Sequence, residues 1–290
     1  MQRSPLIPIL FTLSTLLLIA LPPTRSHAAG WRPPLHLLSE TSGKADNPLY
    51  GSSFSIDEQW GLANRARLEC QSYQCYEWMS LIADQAETKR FGSWTKDPEG
   101  TIDSYLSRVL EQSPGSVPLI ATYTLQHKPC KGYQDSSADV HNYRSWYDQF
   151  ARGIGDKPAV VFVDIDGLIT AHCLNAHGRA IRYRELDYAM QKLTQLPRTV
   201  VYLDAGAADA VPHREMAKRL IKSGVMRGQG FFLNSTHYNW TTSELVYGQQ
   251  IVRRLPSVRH FVVSTAANGR GPIRPKNRVR DGNEVRCNPP

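Results

Sequence analysis

The chain has 290 residues, with 34 Lys and Arg against 26 Asp and Glu, a formal net charge of +8. Its 41% hydrophobic and 21% charged content describe an ordinary globular chain. The basic residues are spread along the sequence except in the tail from Arg270 to Arg286, so the charge reads as solvated surface and not as a nucleic-acid site.

The N-terminus addresses the chain for export. Arg3 gives a basic start, Leu6 to Leu21 an apolar stretch broken by Pro8, and Ser26-His27-Ala28 a small-x-small cleavage site. Residues 1–28 are therefore expected to be a signal peptide. No other apolar run reaches spanning length, which predicts a soluble, secreted protein with no membrane contact after cleavage. Residues 29–50, with Pro33, Pro34 and Pro48, read as an extended lead-in. About 260 mature residues suffice for one α/β barrel or two small domains.

From residue 51 the pattern becomes regular. Asp57-Glu58 opens a helical stretch to about Cys70, and Tyr76 to Ala86 forms a second. Short apolar runs then recur at Val117–Tyr123, Ala159–Val163, Thr199–Leu203, Gly230–Leu233 and His260–Val263, with Lys89–Gly92 a weaker first member. Amphipathic stretches separate them: Ile102–Gln112, Val140–Gly153, Arg182–Leu193, His213–Ser223 and Thr242–Leu255. Continuous apolar runs spaced by helices predict parallel strands covered on both faces, in a barrel or an open doubly wound sheet.

Five cysteines in an exported chain imply disulfides and one thiol left over. Cys70 and Cys75 are near enough to pair locally. Cys130 and Cys173 can close a loop between two strands, worth roughly 3–4 kcal/mol by loop entropy. Cys287 then stands alone, and its partner is expected in sequence beyond Pro290.

The apolar runs end in polar residues: Tyr123-Thr124, Asp164-Ile165-Asp166, Asp204-Ala205-Gly206, Asn234-Ser235 and Ser264-Thr265. In parallel architectures that edge carries the chemistry. Asp166 and Asp204 follow adjacent runs, and carboxyls so placed can act as a general acid and its partner. Helix caps or loop hydrogen bonds are the structural alternative. No HExxH or paired-His spacing indicates a metal, no cofactor motif is present, and no nucleophile elbow surrounds a Ser or Cys. Asn234-Ser235-Thr236 and Asn239-Trp240-Thr241 fit glycosylation sequons, which we read as incidental.

Two family resemblances follow from these segments. Asp164-Ile165-Asp166-Gly167 resembles the nucleophile motif of haloacid-dehalogenase-type phosphatases, with Ser264-Thr265 as a second motif. Leu168 stands where that family has Thr, and no later acidic pair completes its metal site. The longer resemblance is to glycoside hydrolase family 6. It runs through Tyr143-Arg144-Ser145-Trp146, Ala159 to Leu168, Tyr202-Leu203-Asp204-Ala205-Gly206, Gly230 to Trp240, Tyr247-Gly248, Asn268 to Pro272 and Cys287-Asn288-Pro289, in family order. It covers roughly residues 47–290, and residues 51–290 are expected to form the barrel domain.

That resemblance implies an α/β fold, a distorted (β/α) barrel, and hydrolysis of a β-1,4-glucan polysaccharide with inversion by a monomer. Asp166 becomes the proton donor, Asp204 its support, and Tyr123 the neighbour of the distorted sugar. Asn234, Tyr238, Trp240 and Trp94 become substrate-binding residues. An inverting site holds its carboxyl functions roughly 6.5–9.5 Å apart, leaving room for a water.

The chain also departs from the family. Lys128-Pro129-Cys130 replaces Arg-Asp-Cys, Arg90 replaces a stacking Trp, and Ala207 replaces a His. Ala210 stands for a subsite Trp and Arg286 for the Trp before Cys287. The family continues to a last strand bearing Lys, Glu and the candidate base Asp, whereas this sequence ends at Pro290. As a sequence, it is therefore expected to be C-terminally truncated and inactive as an inverting hydrolase, with a non-catalytic glycan-binding relic as the alternative.

Overall fold

The computed structural model of the chain describes residues 47–271, except 60, 126–129, 131, 133–136, 258, 269 and 270. The signal peptide, most of the lead-in, Pro129, the basic tail and Cys287 lie outside the described residues.

Among the described residues, six strands form one parallel sheet: β1 (Lys89–Gly92), β2 (Leu119–Tyr123), β3 (Ala159–Val163), β4 (Thr199–Asp204), β5 (Gly230–Leu233) and β6 (His260–Val263). Their spatial order is their chain order, β1 to β6. That order decides between the two architectures left open by the sequence. A doubly wound sheet reverses direction partway and carries helices on both faces. A sheet that advances one strand at a time, with right-handed crossovers, keeps its helices on one face and winds as a barrel does.

The helices are α1 (Leu62–Leu68), α2 (Tyr73–Ala83), α3 (Pro98–Gln112), α4 (Ser137–Ile154), α5 (Ala176–Thr194), α6 (His213–Lys222) and α7 (Thr241–Val252). Most helix starts differ from the sequence expectation, by one residue at α7, three at α2 and α4 and four at α3, and the largest differences are at α1 and α5. The first helix begins at Leu62 and not at Asp57, because the Asp57 carboxylate is engaged by the Arg108 guanidinium at 2.9 and 3.1 Å. Helix α5 begins six residues before Arg182, because Asn175 Oδ1 accepts the Gly178 N–H at 2.8 Å and caps it.

Side-chain alternation along the strands separates two cores. Val161, Val163, Val201, Leu203, Phe231 and Leu233 face the helices and pack with Phe150, Leu186, Met190 and Ile251. Ala121, Val160, Phe162, Tyr202 and Phe232 point the other way and form a smaller interior cluster with Ile165. Phe162 is its centre, with its ring 5.9 Å from Tyr202 and 5.2 Å from Phe232. The same parity that sends Tyr202 inward sends Asp204 inward, two residues later, onto the C-terminal rim.

Both disulfides expected within the described residues are formed, Cys70–Cys75 and Cys130–Cys173. No helix among the described residues is long and apolar enough to cross a membrane.

The interior cluster supports the rim from below, so its packing sets the stability of the sheet. Phe162→Ala should cost about 3–5 kcal/mol in denaturant unfolding, and Phe162→Leu much less. A loss below about 1 kcal/mol for the alanine variant would mean that the inner face is not a packed core.

Candidate active site

The loop after β3 is where backbone conformation departs from the ordinary. Asp164 (φ 46°), Asp166 (φ 64°) and Asn234 (φ 66°) are the non-glycine residues with positive φ among those described. All three sit at strand ends on one rim. Such conformations persist only where the surroundings fix them, and they concentrate at functional sites.

The surroundings of the Asp166 loop are identifiable. Asp164 is fully buried, and its carboxylate accepts four bonds: Thr124 N–H at 2.8 Å, Thr124 O–H at 2.6 Å, Tyr143 O–H at 2.5 Å and Tyr147 O–H at 2.9 Å. Those bonds saturate it, so Asp164 anchors α4 to the sheet and has no oxygen to offer a metal as the phosphatase resemblance requires. Downstream, buried Arg182 donates to the Gly167 carbonyl at 3.1 Å and buried Arg219 to the Leu168 carbonyl at 2.7 Å. Two guanidinium groups from two helices thus fix the turn on which Asp166 rides.

Asp166 and Asp204 are brought together as the sequence predicts. The Asp166 backbone N–H donates to Asp204 Oδ2 at 3.0 Å, across strands paired in register from Ala159–Thr199 to Val163–Leu203. Asp204 is fully buried, and its Oδ1 finds no hydrogen-bond partner among the described residues. Burial first, and then the neighbouring Asp166 charge, push its carboxyl well above the ordinary carboxylate range, against the backbone N–H groups of Gly206 and Asp166. Asp166 is partly buried, and its Oδ1 accepts the Thr236 hydroxyl at 2.7 Å. Burial raises its carboxyl too, opposed by Thr236, His237 and Arg90. The rim therefore carries two acids that hold protons more tightly than free carboxyls do.

The remaining candidates divide by exposure. Tyr123 at the end of β2 and Trp94 after β1 are 40% and 59% exposed, with ring centroids 6.2 Å apart. Trp240 is 49% exposed at the start of α7, with Gly271 against its indole, and Tyr238 is half-buried beside it. Asn234 behaves differently. Its amide donates to the carbonyls of Asn239 and Ser264 at 3.1 and 3.3 Å and accepts the Asn239 N–H at 3.2 Å, while its own N–H meets the Gly206 carbonyl at 2.7 Å. With 3% exposure it is a buried latch between three strand ends. Asn239 is 4% exposed, so neither sequon presents an accessible amide.

Sequence reading missed several residues of the site. Thr236, His237, Asp209, Glu244, Arg182 and Arg219 were not singled out. Arg90, noted as a lost stacking residue, has Nη2 3.5 Å from the Ser235 carbonyl and its charge near Asp166. The available signal was local: Thr236 and His237 follow Asn234 on the same strand end.

The sign of the Asp204 shift gives a stability test. A carboxyl raised in the folded state binds its proton more tightly there than when unfolded. Its burial is tolerated at low pH, and stability is lost as pH climbs from the ordinary value near 3.8 towards the raised one. Asp204→Asn removes that ionisation, so its melting temperature relative to the unmutated chain should rise between about pH 4 and pH 7. Parallel pH dependences in thermal melts of the two proteins would contradict the raised carboxyl.

The comparisons with known proteins bear on the same elements. The family description "Glycosyl hydrolases family 6" matches residues 51–290. Endoglucanase 1 of Streptomyces halstedii is 29% identical over 248 residues, covering 82% of this chain and 74% of that protein. Endoglucanase A of Cellulomonas fimi is 30% identical over 182 residues, 62% of this chain but 39% of that one. The chain thus spans most of the first relative and well under half of the second. Among solved structures, the endoglucanase Cel6 of Mycobacterium tuberculosis, in complex with methyl-cellobiosyl-4-deoxy-4-thio-β-D-cellobioside, superposes with a TM-score of 0.69. It is 31% identical over 78% of this chain and 76% of that one. A family 6 enzyme from Orpinomyces sp. Y102 shares the fold at 16% identity, with a TM-score of 0.66 over 78% of this chain and 74% of that one. With a six-stranded parallel sheet, two raised acids at its rim and a family match over nearly the whole described chain, this protein belongs to glycosyl hydrolases family 6.

Proposed function

We propose that the chain is a cellulase-type glycosidase that cleaves β-1,4-glucan with inversion, using Asp166 as the general acid. The observation that carries this reading is the buried Asp166–Asp204 pair. A general acid must hold a proton at working pH and release it to the glycosidic oxygen as the bond breaks. Burial supplies the first condition at Asp166. Thr236 supplies orientation by engaging Oδ1, which leaves Oδ2 to carry the proton. Asp204 holds the Asp166 backbone in place through its Oδ2.

In this reading the sugar chain lies over the rim. Trp94 and Tyr123, exposed and close to each other, give a face for a pyranose ring, with Trp240 and Tyr238 further along. Stacking of this kind contributes through apolar area and ring electrostatics, about 0.5–1.5 kcal/mol beyond burial for aromatic pairs. Asn234 serves as the latch that sets the β5 end, in place of direct sugar contact. In an inverting step a water attacks the anomeric carbon from the face opposite Asp166 and gives its proton to a second carboxylate acting as base, a role to which no described residue is assigned. Two disulfides fit the exported compartment that the N-terminal sequence predicts.

One observation favours a second reading, a glycan-binding protein without turnover. Arg90 reaches from β1 to the Ser235 carbonyl where the family carries a sugar-stacking Trp, and Pro129 stands for an acid. Reducing-sugar release from a soluble cellulose derivative separates the two readings when measured beside binding to the same polymer. Asp166→Asn should lower release by about 100-fold or more with little change in binding, and proton NMR of the fresh product should show the α-anomer first. Binding without release in the unmutated chain would establish the second reading.

A further inference from the structure

Beside the acid pair lies a second polar cluster that the proposed chemistry does not use. His237 has 1% of its side chain exposed, and its Nδ1 is 2.9 Å from Asp209 Oδ1. Asp209 is held in turn by Asn239 Nδ2 at 2.7 Å. The same Asn239 amide donates to Glu244 Oε1 at 2.8 Å, which also accepts the Ala208 N–H at 2.9 Å. A carboxylate only accepts, so the imidazole Nδ1 must be the donor in the first of these bonds.

We propose that this cluster is a charge clamp for Asp166, in which Asp209 holds the His237 imidazole as a buried cation beside the acid. His237 is then a positioning residue for the reaction proposed above, acting through Asp166 without touching substrate. This inference rests on Asp166 being the acid only for its catalytic meaning.

Three observations support it. First, the imidazole is adjacent in the chain to Thr236, whose hydroxyl engages Asp166 Oδ1, so the loop that orients the acid also carries the cation. Second, the carboxyl that pairs with the imidazole is held towards its ionised form. Burial opposes ionisation of Asp209, but the His237 hydrogen bond and charge outweigh it and hold Asp209 below the ordinary range. Glu244 on α7 goes the other way, raised first by burial and opposed by its bonds to Ala208 and Asn239 and by the His237 charge. The groups that face Asp166 are Asp204 from β4, Arg90 from β1 and His237 from the β5 end. Third, a buried ion pair is weak evidence of stabilisation, since an apolar pair of similar volume packs as well. Its position beside the acid points to the electrostatic role.

The physical need is specific. Two carboxyls buried together hold a proton too tightly to transfer it readily, because the second charge and the low polarity both disfavour ionisation. A fixed cation beside Asp166 loosens that proton without opening the site to water. As pH rises through the imidazole's own titration the cation is lost, and Asp166 then grips its proton harder.

Carbon-13 NMR titration of the Asp carboxyls and His imidazoles in the full chain tests this, with Asp166→Asn assigning the acid's resonance. His237 should be doubly protonated at about pH 6. The Asp166 midpoint should move up by about half a unit or more in His237→Asn, and in the same direction in Asp209→Asn, which leaves the imidazole neutral. A neutral His237 imidazole at that pH in the unmutated chain, which needs no variant to fold, would overturn the clamp. So would an Asp166 midpoint unchanged in either variant that retains the native circular dichroism spectrum. If the midpoint moves while Asp166→Asn leaves glucan hydrolysis intact, the clamp stands and the assignment of Asp166 as the acid falls.

Discussion

The hydrogen bond from the Asp166 backbone to Asp204 Oδ2 is the contact on which the site depends. It joins the ends of two neighbouring strands and places one carboxyl wholly inside the sheet's rim, with a second beside it. It also requires Asp166 to adopt a left-handed backbone conformation that costs about 1–3 kcal/mol for a residue other than glycine. The four bonds to Asp164 and the guanidinium contacts of Arg182 and Arg219 hold that conformation. Strain at the acid is thus sustained by polar contacts reaching back into α4, α5 and α6.

The consequence is electrostatic. Side-chain parity along the strands places Phe162, Tyr202 and Phe232 beneath the rim, so the acids stand on an apolar floor. Low polarity below and a like charge beside them disfavour the ionised forms. The rim answers with directional groups: the Thr236 hydroxyl, two backbone N–H groups and the cation beside Asp166. The balance between floor and rim sets how firmly the proton is held, and that balance is what makes a carboxyl useful as an acid near neutral pH.

How much of this the sequence disclosed depended on distance along the chain. The strands were legible because a parallel strand covered on both faces is a continuous apolar run, as Val160-Val161-Phe162-Val163 is. Asp166 and Asp204 were legible because each directly follows such a run. Whether the sheet wound like a barrel or lay open was not readable from the strand pattern; the family resemblance implied the barrel, and the spatial order of the strands agrees with it. The supporting residues were hidden because their partners are remote. Arg219 lies 51 residues from the carbonyl it holds, and His237 lies 28 from Asp209. The start of α1 was misread for the same reason, since Asp57 looked like a first-turn acid while its partner Arg108 is 51 residues away. Asn234, which the family resemblance makes a sugar contact, has its amide engaged by backbone groups that the sequence could not show, the carbonyls of Asn239 and Ser264.

The most direct test of the account is whether the rim holds a proton in the resting protein. Difference infrared spectroscopy with carbon-13-labelled aspartate should detect a protonated carboxyl stretch at about pH 6, well above the ordinary aspartate range. That band should weaken in Asp204→Asn. Complete ionisation of every labelled carboxyl by about pH 5 would contradict the account, because the acid pair would then behave as if it stood in water.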